Sequence, residues 1–508
     1  MTANQETKPM KFTRLSVALL SVACVAASAC STDLTGLNKN PNSPTTAPAT
    51  TLFTNATAVT IGRYNGSFQT LSMTSLFAEH IAQVQYVEED RGRIRTETID
   101  GLFSASYTAE LEDFEKVAAI GTEKGSPNTV GPARVMQTWV FQNMTDLWGD
   151  IPYSEALKGD LGGPQKPKYD AQQDIYTGML AALTAATAGM DPASSDAGLG
   201  NADPIFHGDI AKWQKFSNSL RARMALRIIK ADPAKAATEL TAAFAATGGV
   251  MTSNADNAQL AWPGDGVFDN PWATNFATRD DHRMSKTLMD EMLSRSDPRI
   301  PIYAQPTKND PTVYAGLQNG LDNVLVVPFF NTTSRPGAVF YPGATSYGTY
   351  GTSAGKKTPS NLMTYAEVEF IKAEAAFLGI GGQSGAAAHY NAGVTASILQ
   401  WGGTQAQADA YLAQASVAYS AATGPQQIGV QKWIALFTQG SEAWSNWRRT
   451  GFPASVVIGP QHYPEVTGIP RRLPYPSNEQ SVNAVNLAAA VVAMGGDTYN
   501  TRMWWDKQ

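Results

Sequence analysis

Only two of the 508 residues are cysteine, Cys24 and Cys30, and both lie within the first thirty. Whatever follows position 30 must therefore hold itself together without a disulfide, through a large apolar core. The flanking residues explain the placement. Lys8, Lys11 and Arg14 make a positive start, an uncharged and mostly apolar run begins at Leu15, and Ala27, Ser28 and Ala29 precede Cys30. This is the anatomy of a secretory signal cut after small residues. A cysteine at the first position after the cut marks a bacterial lipoprotein signal: the thiol takes a diacylglyceryl group and the freed amine a further acyl chain. Several chains, at about 0.8 kcal/mol per buried CH₂, suffice for stable attachment. Lipidation of Cys30 is expected, with residues 1–29 removed and residues 30–50 left as a polar, proline-punctuated tether.

The apolar run of the signal is shorter than the roughly 20 residues a spanning helix needs, and every later uncharged stretch of that length is interrupted by polar residues. Contact with the membrane is expected through the lipid alone. The formal charge is −6, and cleavage removes Lys8, Lys11, Arg14 and Glu6, a net +2, leaving −8. No basic run occurs, so nucleic acid is excluded as a partner.

Residues 51–250 read as mainly helical. In 132–148 Met136, Val140, Met144 and Leu147, with Val135 and Trp139 beside them, make one apolar stripe, and Gly149-Asp150-Ile151-Pro152 stops the helix. Asp170 is placed to cap the next helix, which carries Ile175, Tyr176, Met179 and Leu180. Trp213, Phe216, Leu220, Met224 and Ile228 share one face of a helix over 209–229. Helices resume at 361: Ala366, Phe370, Ala373 and Phe377 repeat at helical spacing, Glu369 and Lys372 pair on the outer side, and Gly379 ends the helix. Further helices are expected near 384–399, 405–417 and 428–447, with small residues such as Ala373, Ala375, Ala376 and Gly393 at close-packing positions. Such pairs suggest TPR-like hairpins, although no clean 34-residue repeat is visible.

Residues 250–358 differ. They are rich in Gly, Pro, Asn, Asp and Thr and carry aromatic residues on non-periodic segments, above all 262–272 and 340–350. Long ordered loops of this kind usually carry function. Sugars stack their C–H faces on aromatic rings while Asn, Asp and Arg bond the hydroxyls; peptides would use the same rings. The candidate ligand-binding residues are Trp272, Phe268, Tyr341, Tyr347, Tyr350, Asp269 and Asn270.

Catalytic patterns are missing. The five histidines are scattered, with no HExxH, and no GxxxxGK[ST] or GxGxxG occurs; the one GxSxG string, at 351–355, lies in the non-periodic loop-rich stretch and makes no strand-to-helix nucleophile elbow. Glu88/Glu89/Asp90 and Asp280/Asp281 are adjacent in sequence and read as solvated faces, not as the opposed carboxylates of a glycosidase. Arg448 and Arg449 read as locks of the last helix onto the body rather than as an anion site.

Ordered blocks along the chain, at 38–46, 138–156, 212–227, 297–303, 363–375, 431–437, 442–453, 469–476 and 504–506, resemble those of SusD/RagB-type lipoproteins. These are nutrient-binding partners of SusC-like TonB-dependent outer-membrane transporters. The resemblance implies a predominantly all-α fold: TPR-like helical hairpins in a right-handed superhelical scaffold, with an irregular loop-rich ligand-binding region. It implies a single domain over 51–508, helical at 51–250 and 359–508 around a loop-rich insert at about 250–358. It further implies an outer-membrane site facing the exterior, a SusC-like partner, an oligosaccharide or peptide ligand, and no enzymatic activity. A cell-envelope glycoside hydrolase and a TPR scaffold without ligand are the alternatives. No cofactor is expected; a structural Ca²⁺ stays open.

Overall fold

The computed structural model describes residues 47–341 and 355–507. Cys30, most of the tether, Tyr347 and Tyr350 lie outside the described residues. Residues Ala49–Gln508 form one compact unit. It opens with α1 (Ala49–Tyr64), which takes up the last two residues of the expected tether. A π-helical stretch, Ser67–Thr74, leads to strand β1 (Ile81–Gln83). Helices α2 (Thr96–Ala105), α3 (Glu112–Glu123), α4 (Pro127–Trp148), α5 (Gln172–Gly189), α6 (Ile210–Arg227) and α7 (Pro233–Ala245) follow, each of α3 to α6 packing on the next. The fold is the helical, TPR-like one the sequence implied.

Helix α4 starts five residues earlier than its stripe suggests, so Pro132 lies inside it. Its first turn is held from outside: Asn128 donates through Nδ2 to the carbonyls of Asp191 (2.9 Å) and Asp196 (3.0 Å), and its own N–H donates to the Asp196 carboxylate (3.0 Å). Tertiary bonds thus stabilise a start that proline alone would discourage. The stripe itself is buried as expected, with Met136, Val140 and Met144 fully enclosed. Asp209 caps α6 through Lys212 N–H at 3.1 Å. Asp170 does not cap α5. Its carboxylate accepts from Tyr153 N–H (3.0 Å) and from Ser154 N–H (2.7 Å), while Asp150 accepts from Gln172 N–H (2.8 Å) at the start of that helix.

The C-terminal half holds α8 (Pro271–Phe276), α9 (Lys286–Leu293), α10 (Tyr365–Leu378), α11 (Ala386–Gln400), α12 (Gln405–Leu412), α13 (Gly424–Ala435), α14 (Gly440–Thr450) and α15 (Ala484–Met494). Helices α10 and α11 form a tight pair. A Cβ at Gly393 would sit 3.0 Å from the Phe370 ring, so any larger residue would have to push that ring aside by a few tenths of an ångström. The Glu369–Lys372 pair (2.8 Å) is not on the outer side. Glu369 is buried between the paired helices, where it also takes His389 Nδ1 at 2.7 Å. The single helix expected over 428–447 is two, because Thr438 turns the chain at φ 75° and brings Gly440 onto the backbone of Ser75.

Arg448 and Arg449 lock α14 as anticipated. Arg448 donates to the carbonyls of Arg471 (2.7 Å) and Asp146 (2.9 Å), and Arg449 forks onto Glu374. Deeper still, Arg223 and Arg227 of α6 and Lys432 of α13 face Glu367 and Glu442, with Asp146 beside Arg227. Opposite charges buried in contact leave none of these groups uncompensated.

Two short antiparallel ladders organise the loop-rich insert. Strand β2 (Ala258–Leu260) pairs with β4 (Ser360–Met363), so the insert leaves and rejoins the helical body through adjacent strands. Strand β1 pairs with β3 (His282–Met284) in the register Ile81↔Met284. That second ladder ties the insert to the N-terminal half.

Candidate binding groove

Sequence reasoning placed the ligand on the 262–272 and 340–350 loops. Trp272 is only 2% exposed and sits among Phe340 (4.8 Å between centroids), Phe437 (5.7 Å) and Phe276 (6.2 Å). Tyr341 is 1% exposed and stacks on Phe276 at 4.5 Å. Asn270 caps α8, accepting from the N–H groups of Trp272 (2.9 Å) and Ala273 (3.2 Å), while its Nδ2 donates to Thr358 O at 2.7 Å. Asp269 accepts from Gly266 N–H (2.8 Å) and pairs with Lys356 (2.8 Å). Trp272, Tyr341 and Asn270 are thus core and capping residues: the hydrophobic effect draws large rings inward wherever a loop can fold over them. Phe268, 39% exposed, is the candidate ring among the described residues that faces solvent.

A different aromatic surface lies beyond β1. The β1–β3 ladder ends where Val84 N–H donates to Asp281 O at 2.7 Å, and the chain then turns through Tyr86 at φ 54°. A left-handed conformation costs a non-glycine residue roughly 1–2 kcal/mol. Here it holds the ring 56% exposed, with the Arg279 guanidinium 5.5 Å from its centroid and Arg279 itself paired with Asp281 at 2.9 Å. Strain kept at a solvent-facing ring points to a site.

The facing wall is the segment 322–330. Asp322 starts it by accepting from the N–H groups of Val324 (2.9 Å) and Leu325 (2.8 Å). Arg283, fully buried on β3, holds its far end: it donates to Phe330 O through Nη2 (2.8 Å) and lies 4.6 Å from the Phe330 ring centroid. Asp280 joins Arg283 (2.9 Å) to Arg335. Beneath both walls Ala82, Val84, Val87, Leu317, Leu321 and Val326 form a separate small core against which Phe330 packs. The result is a groove of about 540 Å³, lined by Gln85, Tyr86 and Glu88 on one side and Asn323, Val327 and Phe330 on the other. Asn323 Nδ2 reaches Glu88 across it at 3.3 Å.

The groove offers ring faces, amides and one carboxylate, a mixture suited to a ligand with apolar faces and hydroxyl or amide edges. The acidic clusters are not solvated faces. Asp280 and Asp281 are taken up by arginines, Glu89 is buried beside Gln83 and Arg95, and Asp90 is bonded within the fold. The run 322–330, whose one apolar stretch from Val324 is closed by Pro328-Phe329-Phe330, carried the same aromatic-loop signal in the sequence and was the feature missed. Among the described residues no cluster of three or more His, Cys, Asp or Glu side chains is placed to hold a metal ion.

Fold and groove together define a helical scaffold carrying a loop-built candidate binding surface. Residues 41–476 match the SusD-like family described as starch-binding and associating with the outer membrane, and the chain belongs to that family. A chitin-binding protein is 29% identical, with a TM-score of 0.78 over 91% of this chain and 100% of that one. A chitin-binding SusD homologue from Flavobacterium johnsoniae is 26% identical, TM-score 0.78, over 91% and 99%. A SusD homologue from Bacteroides uniformis, 24% identical with a TM-score of 0.80 over 91% and 100%, shares the fold. No curated protein matches the chain. Among the described residues no helix is long and apolar enough to cross a membrane.

Proposed function

We propose that this protein is a non-catalytic receptor, lipid-anchored through Cys30 to the outer face of the outer membrane. It holds oligosaccharides in the Tyr86–Phe330 groove and passes them to a SusC-like TonB-dependent transporter. The observation that carries the reading is the pairing, in one groove, of the exposed Tyr86 ring and the half-buried Phe330 ring with the amides of Gln85 and Asn323. Rings take the C–H face of a sugar and amides its polar edge. The two chitin-binding relatives support oligomers of N-acetylglucosamine as the first ligand to try. Glycoside hydrolysis needs two carboxyl groups across the bond, whereas among the described residues Glu88 is the one carboxylate that lines this groove.

Calorimetry with chitooligosaccharides, maltooligosaccharides and peptides tests the reading. Glycan binding without product is expected. Released product would sink the non-catalytic reading, peptide binding alone would change the ligand class, and no binding at all would leave a scaffold. Tyr86→Ala should weaken glycan binding roughly tenfold, about 1.4 kcal/mol, while the fold persists; unchanged affinity would remove Tyr86 from the site. Cys30→Ser should leave folding and binding intact and move the protein from the membrane to the soluble fraction on fractionation. Continued membrane retention would refute the anchor.

A further inference from the structure

Both walls of the groove converge on one side chain that does not line it. The Asp90 carboxylate accepts from Gln83 N–H (3.2 Å) and Gly320 N–H (3.1 Å) at Oδ2, and from Asn319 Nδ2 (2.7 Å) at Oδ1. Gln83 returns the contact, taking Asp90 N–H at 3.1 Å. Asn319 is itself tied to β1 through Ile81 O (2.8 Å) and to the start of α9 through Ser285 Oγ (2.6 Å). Three residues on from Gly320 comes Asn323, and four residues before Asp90 stands Tyr86, so each wall begins at an Asp90 bond. We propose that Asp90 is a positioning residue for the ligand groove: its carboxylate sets the spacing of the Tyr86 wall and the Asn323–Phe330 wall, and so governs affinity without touching ligand. This rests on the groove being the ligand site.

The physical argument is one of acceptor number. Only a carboxylate of this size presents enough lone pairs for three donors from two chain segments. An amide at the same position turns half of that capacity into a donor facing N–H groups. Burial drives the Asp90 carboxyl up to about 7, against the opposing pull of the Asn319, Gly320 and Gln83 bonds. Protonation therefore competes with the wall contacts near neutral pH. The charged groups around it are Glu88, Glu89 and Arg91 on its own turn, with Arg95 paired to Glu89, Glu79 at the other end of β1, and Asp322 on the opposite wall. Of these the Glu89 charge favours the proton on Asp90, and Glu79, itself pushed up to about 8 by burial, bonds Thr287 and Val457; neither bonds the 319–320 wall.

The test compares the wild type with Asp90→Asn and Asn319→Ala, reading chitooligosaccharide affinity and amide-exchange protection of 81–92 and 317–327 at pH 8 and pH 6. Wild type should bind roughly tenfold more weakly at pH 6, with Gly320 losing protection in parallel, as one or two hydrogen bonds are released. Asp90→Asn should be weak at both pH values, with a flat profile, and Asn319→Ala should lie between. Wild-type affinity and pH profile in Asp90→Asn would overturn the proposal, as would protection of Gly320 that does not change with pH. If Asp90→Asn fails to fold, the wild-type pH profile and Asn319→Ala decide the matter. Should no glycan bind the wild type, the functional reading fails, while the exchange data still decide whether Asp90 sets the walls.

Discussion

Trp272→Ala will lower the stability of the folded protein by about 3–5 kcal/mol, the range for emptying an indole-sized space in a packed core. The ring is 2% exposed and wedged among Phe276, Phe340 and Phe437, so its loss leaves a cavity that three rigid neighbours cannot fill. Phe437 belongs to the turn between α13 and α14, and Phe340 to the end of the loop-rich insert. The damage should therefore spread from the insert into the helical body. Urea denaturation followed by circular dichroism measures it. A variant with wild-type midpoint and lost glycan binding would show instead that the ring meets ligand.

Asp297→Ala should cost a comparable amount, about 3–5 kcal/mol, for a different reason. Asp297 and Arg299 are joined side by side (2.9 Å through Nε, 2.6 Å through Nη2), and both side chains are shut off from solvent. From that fork Arg299 reaches Ser397 of α11 (2.8 Å) and Gln431 of α13 (3.0 Å). Removing the carboxylate leaves a buried guanidinium without its counter-charge, whereas replacing both partners by apolar residues removes the charge altogether. The double variant Asp297→Leu/Arg299→Met should consequently unfold at higher urea than Asp297→Ala alone. If the double variant is the less stable of the two, the cost lies in the lost bonds to Ser397 and Gln431 rather than in the stranded charge.

The helical body was legible because its evidence is local. A stripe such as Met136, Val140 and Met144 and a stop such as Gly379 each act within a few residues of chain, and each stands where expected. Errors came where a distant contact outweighed a local rule. Pro132 sits inside α4 because the 191–196 loop anchors the preceding turn. Glu369 faces inward because α11 supplies His389. The 428–447 helix breaks because Gly440 must meet Ser75, several hundred residues away.

The groove shows the same division more sharply. The sequence by itself determined that the chain is predominantly helical and lacks disulfides after Cys30. It also located the aromatic residues carried on loops, since composition and periodicity belong to the chain alone. Which rings face water was decided only by tertiary structure. Trp272 and Tyr86 are both aromatic residues whose flanking sequence shows no periodicity. The first is covered by Phe340 and Phe437 from later in the chain, while the second is pushed outward by a left-handed turn at the end of a ladder with β3. Burial is a property of what arrives from elsewhere, and pairing of β1 with a strand some two hundred residues away leaves no mark in the sequence around Tyr86.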